Sequence, residues 1–181
     1  IVVIMDVVYN HMNGISGSSF DKLVPGYFFR YNEDGSASNG SGCGNETDSR
    51  RVMFNKYMID STTFWITEYN LAGFRFDLMG LHDYMTMNEI AATLHEIDPN
   101  IAVYGEPWEG GTTTLTQRYH SDTANVSKLE GVAIFNDAIR DGIKGGVFTA
   151  SQPAWVQGAG PSTAITNSMD GLLYSNPLKQ I

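Results

Sequence analysis

Short apolar runs alternate along the chain with segments whose apolar residues recur at helical spacing. The run Ile1–Val8 is rich in β-branched residues and lacks polar alternation, which predicts a strand covered on both faces, as in a parallel sheet. Further short runs predict three more strands, at Gly73–Gly80, Ile101–Gly105 and Gly131–Phe135. Strands that alternate with helices in this order predict a parallel βα array and an α/β fold.

The first predicted helix lies between the first two of these strands. It begins after Asp48 or Ser49, either of which can act as its N-cap, and it ends at Asn70 or Gly73. Its large apolar residues are predicted to lie largely along one side, and they are Phe54, Tyr57, Met58, Phe64, Trp65 and Tyr69.

The second predicted helix begins with a capping box, in which Thr86 and Glu89 satisfy each other's backbone donors. Apolar residues then recur at helical spacing, at Met87, Ile90, Ala91, Leu94 and Ile97. The segment 98–100, Asp-Pro-Asn, stops this helix. A further helical turn is predicted over Ala138–Lys144.

Residues 12–51 are rich in Gly, Ser and Asn and predict a long loop excursion, which in a compact domain is usually functional. The chain has 181 residues, enough for one domain with a core, and a net charge of −9. No cluster of basic residues is longer than Arg50-Arg51, so nucleic acid is not an expected partner. No apolar run is long enough to span a membrane, so a soluble protein is expected, and the lone Cys43 leaves the compartment open.

Acidic residues stand at the ends of three predicted strands, at Asp6, Asp77 and Glu106. The carboxyl ends of parallel strands meet at one edge of the sheet, so these side chains are expected to collect in one place. Cleavage of a glycosidic bond requires at least two carboxylates that face one pocket. A structural Arg75–Asp77 pair at a strand end is the alternative on these residues alone.

The neighbours of the two carboxylates predict different roles. Arg75 favours the ionised form of Asp77, which suits a nucleophile, whereas Pro107 and Trp108 give Glu106 an apolar setting that favours the protonated form of a general acid. Trp108 is either a core residue or a stacking platform for a sugar ring.

Two polar residues close the first strand, Asn10 and His11. A lone histidine in this position is more often a hydrogen-bonded scaffold residue than an active one. Oxygen atoms of Asp6 and Asn10, with His11 nearby, would suit calcium, although no complete set of ligands is recognisable. The expectation is therefore no metal and no organic cofactor, with calcium as a minor hypothesis.

Three segments together resemble the short regions shared by the α-amylase superfamily of glycoside hydrolases, in order and approximate spacing. They are Asp6–His11, Gly73–Asp77 and Gly105–Trp108. The longer segments Phe74–Gly80 and Phe135–Gly145 look most like those of type I pullulanases, which are debranching enzymes. The resemblance implies a portion of a (β/α)8 TIM barrel, roughly its third to sixth strands, within one partial catalytic domain over residues 1–181.

The resemblance also implies a role for each matching residue. Asp77 would be the nucleophile of a retaining mechanism, and Glu106 would be the acid and then the base. Arg75 would orient Asp77, Asp6 would support Arg75, and His11 would hydrogen-bond the sugar. Asn10 is assigned a supporting role and Trp108 a substrate-binding role, and the expected partner is an α-glucan.

The implied reaction is hydrolysis of α-1,6-glucosidic branch linkages in pullulan, glycogen or branched starch. The alternatives are an α-1,4-acting amylase, a glucanotransferase of the same superfamily, or a non-catalytic carbohydrate-binding barrel. The family's third acidic residue is not found here, which predicts that the sequence is truncated on both sides. Since a barrel needs about 250 residues, these residues alone are expected to be poorly soluble and inactive.

Overall fold

The computed structural model describes residues 1–149, 151 and 153–159. The elements in chain order are β1 (Ile4–Val7), β2 (His11–Met12), α1 (Ser19–Leu23), β3 (Asn45–Glu46), α2 (Val52–Tyr69), β4 (Gly73–Phe76), α3 (Tyr84–Ile97), β5 (Ala102–Gly105), β6 (Ala133–Ile134) and α4 (Asp137–Lys144). They fall into two compact units, one over Ile1–Ile134 and one that begins at Phe135.

The first unit is built on a four-stranded sheet with the order β1-β4-β5-β6, and all three strand pairs are parallel. The parallel arrangement predicted from the sequence is therefore confirmed. Strand β4 lies between β1 and β5, and its side chains Phe74 and Phe76 are fully buried. This central position explains why an apolar run encloses the polar residue Arg75.

The prediction that the first strand is covered on both faces is wrong for the described part of the chain. Only Val7 is buried within β1, and β4 is its one strand neighbour among the described residues. The preceding residues Ile1, Val2 and Val3 are exposed, at 122%, 76% and 50%. Asp6 is exposed as well, so this edge of the sheet presents a carboxylate.

Helices α2 and α3 pack against each other and supply much of the core. The buried residues of α2 are four apart, at Phe54, Met58, Thr62 and Ile66. The predicted apolar side of α2 is therefore only partly right, because Tyr57, Phe64 and Tyr69 are exposed. The helix ends where predicted, with Asn70 in the left-handed conformation at φ 53°.

Both predicted helix starts are wrong. Arg51 is the N-cap residue of α2 and makes no side-chain capping bond, because Asp48 and Ser49 both bind Arg30 instead. Helix α3 begins at Tyr84, two residues before the predicted box, and Asp83 caps it by accepting the N–H of Thr86 at 3.0 Å.

In place of the predicted capping box, Glu89 accepts a hydrogen bond from the Asn55 side chain at 2.9 Å. The predicted end of α3 is confirmed, since the helix stops at Ile97. Its buried residues are Thr86, Met87, Ile90, Ala91 and Leu94.

Residues 12–51 contain little regular structure, but they contribute to the core. The short helix α1 begins at the N-cap Ser18, whose hydroxyl accepts the N–H of Asp21 at 3.1 Å. Strand β3 pairs antiparallel with β2, with His11 opposite Glu46. The aromatic rings of Phe20 and Phe28 stack at a centroid distance of 4.8 Å, so the segment has an apolar anchor.

The second unit contains α4, which confirms the helical turn predicted for this region. Asn136 caps the helix by accepting the N–H of Ile139 at 3.0 Å. Arg140 forms ion pairs with Asp137 at 2.9 Å and Asp141 at 2.7 Å. The hydrogen bond from Arg140 lowers the pKa of the Asp141 carboxyl.

Candidate active site

The register of the sheet places the site residues side by side. Asp6 of β1 lies opposite Arg75 of β4, which lies opposite Tyr104 of β5. Asp77 and Glu106 each follow the last residue of their strand directly. Because side chains alternate along a strand, Arg75 and Asp77 point to the same face. The predicted cluster of acidic side chains therefore forms at this edge of the sheet.

One guanidinium binds all three carboxylates. Nη1 of Arg75 is 2.8 Å from Asp6 and 3.1 Å from Asp77, and Nη2 forms an ion pair with Glu106. Partial burial opposes the charge on Arg75, but its carboxylate neighbours, above all the hydrogen-bonded Asp6, outweigh this effect and raise its pKa. Three carboxylates around one cation leave the cluster with a local charge of about −2.

Asp77 is held by Asn10 in addition to Arg75. The Asn10 amide donates to the Asp77 carbonyl at 2.7 Å and to Oδ2 of its carboxylate at 3.1 Å. Asn10 is buried, whereas the Asp77 side chain is 28% exposed. Asp77 therefore has each carboxylate oxygen on a donor and remains open to solvent.

Glu106 is held by the turn that follows β4. Its Oε2 accepts the backbone N–H of Leu78 at 2.8 Å, and its carbonyl accepts the N–H of Gly80 at 3.0 Å. With Arg75 on Oε1, the carboxylate has a polar setting and not the apolar one predicted from Pro107 and Trp108. Pro107 and Trp108 did not predict this setting, because Arg75 of β4 and Leu78 of the following turn supply the contacts.

The turn after β4 has an unusual backbone. Leu78 adopts the left-handed conformation, at φ 41° and ψ 49°, and its N–H donates to Glu106. Gly80 has no room for a side chain, since a Cβ there would lie 2.7 Å from the Trp108 carbonyl. Residues Met79–Leu81 form one turn of 3₁₀ helix. The segment after Asp77 thus packs directly against the segment after Glu106.

His11 is connected to Asp77 through Asn10. Its Nδ1 lies 2.6 Å from Asn10 Oδ1. Since the Asn10 amide nitrogen donates to Asp77, its oxygen faces His11, and Nδ1 must carry the hydrogen. Trp108 is partly buried beside the turn. The structure therefore connects six of the predicted site residues, Asp6, Asn10, His11, Arg75, Asp77 and Glu106, and the backbone of Trp108 lies beside Gly80. Their roles remain predictions.

Sequence reasoning missed the polar cluster behind this site. Arg30 and Glu46 form a buried ion pair, and both come from the segment predicted to be a loop. Their spacing in the sequence carries no motif, because their partners come from other segments. Composition alone offers no signal for such a pair.

His82 was also missed by sequence reasoning, and it is fully buried. Neither ring nitrogen has a hydrogen-bond partner among the described residues. Burial lowers the pKa of His82 to about 3, and the nearby charge of Arg30 adds to this effect. The imidazole is therefore neutral at ordinary pH, although Asp77 and Asp83 lie close enough to oppose the shift.

In the described part of the chain, no group of three or more His, Cys, Asp or Glu side chains is arranged to hold a metal ion. Among the residues considered for calcium, Asp6 binds Arg75, and Asn10 binds Asp77 and His11. Calcium binding stays an untested hypothesis. Among the same described residues, no helix combines the length and the apolar character required to cross a membrane.

Comparisons with known proteins agree with this geometry. No model of a protein family matches the chain. A pullulanase of Bacillus subtilis (strain 168) is 40% identical over 179 residues, which is 99% of this chain and 24% of that protein. A pullulanase of Klebsiella pneumoniae is 34% identical over 148 residues, covering 80% of this chain and 13% of that protein.

Solved structures give the same result. A mutant pullulanase of Paenibacillus barengoltzii complexed with maltotriose superimposes with a TM-score of 0.87 at 41% identity, covering 99% of this chain and 28% of that one. The type I pullulanase of Bacillus subtilis complexed with maltose gives a TM-score of 0.89 at 35% identity, covering 99% of this chain and 26% of that one.

Fold, motifs and matches together place the chain among the relatives of glycoside hydrolases. It belongs to the pullulanase family, as the longer segments Phe74–Gly80 and Phe135–Gly145 predicted. The chain spans about a quarter of the length of the Bacillus subtilis relative, at 24%.

Proposed function

We propose that the protein hydrolyses α-1,6-glucosidic branch linkages in pullulan, glycogen or branched starch. The observation that carries the proposal is the placement of Asp77 and Glu106 at the ends of adjacent parallel strands on one guanidinium, Arg75. The similarity to pullulanases supports the choice of linkage. We further propose that the described sheet is part of a (β/α)8 barrel, since its βα order and site position match that fold.

The proposed mechanism is a retaining double displacement. Asp77 attacks the anomeric carbon and forms a covalent glucosyl intermediate while Glu106 protonates the leaving oxygen. Glu106 then takes a proton from water, which attacks the same carbon and releases Asp77. In the structure both Glu106 oxygens have partners, since Oε1 forms an ion pair with Arg75 and Oε2 accepts the Leu78 N–H. Its acid role therefore requires the glycosidic oxygen to replace Arg75 at Oε1.

The remaining site residues are assigned to binding and support. Asn10 and Arg75 keep the Asp77 carboxylate in place for attack, and Asp6 holds Arg75 from the neighbouring strand. His11 presents its second ring nitrogen for a sugar hydroxyl, because Nδ1 is taken by Asn10. Trp108 offers an aromatic surface to a sugar ring. The maltotriose complex of the Paenibacillus barengoltzii relative supports an α-glucan as the substrate.

The test is the release of reducing sugar from pullulan by the product of the complete gene. An Asp77→Asn variant keeps the shape of the side chain and removes the nucleophile, so kcat is expected to fall by about 10⁴-fold or more. Asp60→Asn is the matched control, because Asp60 is an exposed residue of α2 whose carboxylate pairs with the equally exposed Lys56. Cleavage of linear α-1,4-glucan with pullulan left intact would overturn the proposed linkage.

A further inference from the structure

A buried ion pair lies behind the two candidate catalytic carboxylates. The side chains of Arg30 and Glu46 are only 5% and 0% exposed, and Nη1 of Arg30 is 2.5 Å from Oε1 of Glu46. Both residues come from the segment between β1 and α2. Their hydrogen bonds within the described part of the chain go to groups other than the carboxylates of Asp77 and Glu106, so the pair has no direct part in the proposed chemistry.

The arginine of this pair binds the segment that follows Asp77. Nη1 of Arg30 donates to the carbonyl of Leu81 at 2.8 Å, and Nη2 donates to the hydroxyl of Ser49 at 3.2 Å. Ser49 donates in turn to the Asp83 carboxylate at 2.7 Å. Arg30 therefore holds the far end of the turn whose first residue, Leu78, binds Glu106.

The glutamate of the pair binds the segment that follows Glu106. Oε1 of Glu46 accepts the Thr113 hydroxyl at 2.5 Å, and Oε2 accepts the N–H of Gly40 at 3.0 Å. The carbonyl of Gly40 accepts the backbone N–H groups of Gly110 at 2.9 Å and Gly111 at 2.7 Å. The same carboxylate therefore fixes residues 110–113, only a few positions beyond Glu106.

The contacts of Arg30 and those of Glu46 meet at Gly40, where a side chain would not fit. A Cβ at that position would lie 2.5 Å from the Leu81 side chain, 2.7 Å from Glu46 and 2.7 Å from Thr113. The segment after β4, the segment after β5 and the ion pair are thus in contact at a single point. A shift in any one of them must displace the others, because packed interiors transmit strain.

Stability alone is a weak reason for this arrangement. Burying two charges costs several kcal/mol per ion, and apolar residues of the same volume often stabilise a protein at least as well. An ion pair can also fix the orientation of its partners, because the planar guanidinium of Arg30 donates hydrogen bonds in set directions. Here the Leu81 carbonyl, in the segment after the candidate nucleophile, accepts from Arg30, and the Thr113 hydroxyl, in the segment after the candidate acid, donates to Glu46.

We propose that the Arg30–Glu46 pair is a positioning clamp, which sets the placement of the Glu106 carboxylate relative to Asp77 by joining the turn 78–83 to the segment 110–113. The inference rests on the proposed hydrolase function. Movement at Leu81 is passed to Leu78 through the single 3₁₀ turn, and from there to Oε2 of Glu106. Displacements of about 1 Å at such a site can cost about 10²-fold in rate.

The test compares the loss of the Thr113 hydroxyl with the loss of its methyl group. Thr113→Val keeps the shape and removes the hydroxyl, which donates to Glu46 and accepts the Leu115 N–H, whereas Thr113→Ser keeps both hydrogen bonds and loses the methyl group. We expect kcat on pullulan, per folded molecule of the complete gene product, to fall by about 10-fold in Thr113→Val with KM within about twofold. Thr113→Ser should retain the parent kcat.

Two further variants complete the test, one that disrupts the ion pair and one that serves as a control. Arg30→Lys keeps the charge but offers one nitrogen in place of the fork that spans Glu46, Leu81 and Ser49, so a loss in kcat of about 10²-fold is expected. Thr62→Val is the matched control, because the buried Thr62 hydroxyl bonds to carbonyls of its own helix. A parent-like kcat in Thr113→Val, or equal losses in the Val and Ser variants, would overturn the clamp.

Crystal structures distinguish failure of the clamp from failure of the proposed function. If the parent protein does not cleave pullulan, the function is wrong and the clamp is judged by geometry alone. The clamp then requires the Glu106 carboxylate of Thr113→Val to move relative to Asp77 by about 0.5 Å or more. An unchanged placement of the two carboxylates in that variant contradicts the clamp.

Discussion

Two arginines bind clusters of carboxylates in the first unit, and they do so in opposite ways. Arg75 is 20% exposed and binds three carboxylates, of which Asp6 is 66% exposed. Arg30 is 5% exposed and binds Glu46, which is completely buried, and Asp48, which is 15% exposed. One cluster has an excess of negative charge at the surface, and the other is enclosed.

This difference matches the proposed roles of the two clusters, the Arg75 cluster in the reaction and the Arg30 cluster in structural support. In the enclosed cluster the oxygens of Glu46 accept hydrogen bonds from several protein donors, so nothing is free to react. In the open cluster one cation is shared among three carboxylates, so a substrate atom can replace Arg75 at any of them. A site that must exchange partners needs a cation that can leave one carboxylate, whereas a support keeps its partners fixed.

The strongest test of the comparison is to remove each cation in turn. Arg75→Met should lower kcat on pullulan by about 10³-fold while the protein stays folded, because its carboxylates are within reach of water. Arg30→Met should lower the free energy of unfolding by about 3 to 5 kcal/mol, because it leaves Glu46 buried without a cation. Steady-state kinetics and urea denaturation measure the two effects.

The two variants are each other's control. The comparison fails if Arg75→Met loses as much unfolding free energy as Arg30→Met. It also fails if Arg30→Met unfolds at the same urea concentration as the parent protein.

The second test uses pH and the buried His82, which lies near both clusters. Its pKa is about 3 in the folded state against 6.5 for the free side chain. Between these values the unfolded chain binds the additional proton, so stability rises with pH and is lost as the pH falls below 6.5. The loss attributable to His82 is on the order of 3 kcal/mol at pH 4, measured by urea denaturation.

A His82→Leu variant isolates this contribution, since all carboxylates titrate in both proteins. The difference in unfolding free energy between parent and variant should change between pH 8 and pH 4, in favour of the variant at low pH. A constant difference over that range would show that His82 accepts a proton in the folded state.

The smallest expected effect concerns the turn that joins the two clusters. Leu78 adopts a left-handed backbone, which costs an L-residue about 1 to 2 kcal/mol. Leu78→Gly and Leu78→Ala lose the same contacts beyond Cβ, but only glycine relieves that cost. The Gly variant should therefore be more stable than the Ala variant by about 1 kcal/mol in urea denaturation.

A helical position supplies the matched comparison for Leu78. At Asp60, an exposed residue of α2, the order should reverse, with the Gly variant less stable than the Ala variant by about 1 kcal/mol. The same order at both positions would mean that the left-handed backbone at Leu78 carries no cost.

Patterns within one segment are sufficient to predict the sheet and its acidic edge. The apolar runs around Phe74 and Val103 locate two parallel strands, and the acidic residue after each follows from the chain itself. The adjacency of Asp77 and Glu106 is therefore predictable from the sequence alone. Their family resemblance adds roles that spacing does not supply.

Contacts between distant segments are what the sequence does not reveal. Asp48 and Ser49 look like helix caps, but Arg30 binds both, and Asp83 takes the capping role predicted for Thr86. Capping propensity is a local preference of a fraction of a kcal/mol to about 2 kcal/mol, and a buried cation outweighs it. The polar setting of Glu106 was missed for the same reason.

The wide spacing of the clamp in the chain affects when the protein can complete its fold. Thr113 follows Glu46 by 67 residues, and Leu81 follows Arg30 by 51. A ribosome that adds about 5 to 20 residues per second needs roughly 3 to 13 s to make Thr113 after Glu46. Throughout that interval the nascent chain lacks one of the partners that allow Glu46 to leave water. The early segment must therefore remain hydrated and accessible to chaperones until the later strands are made.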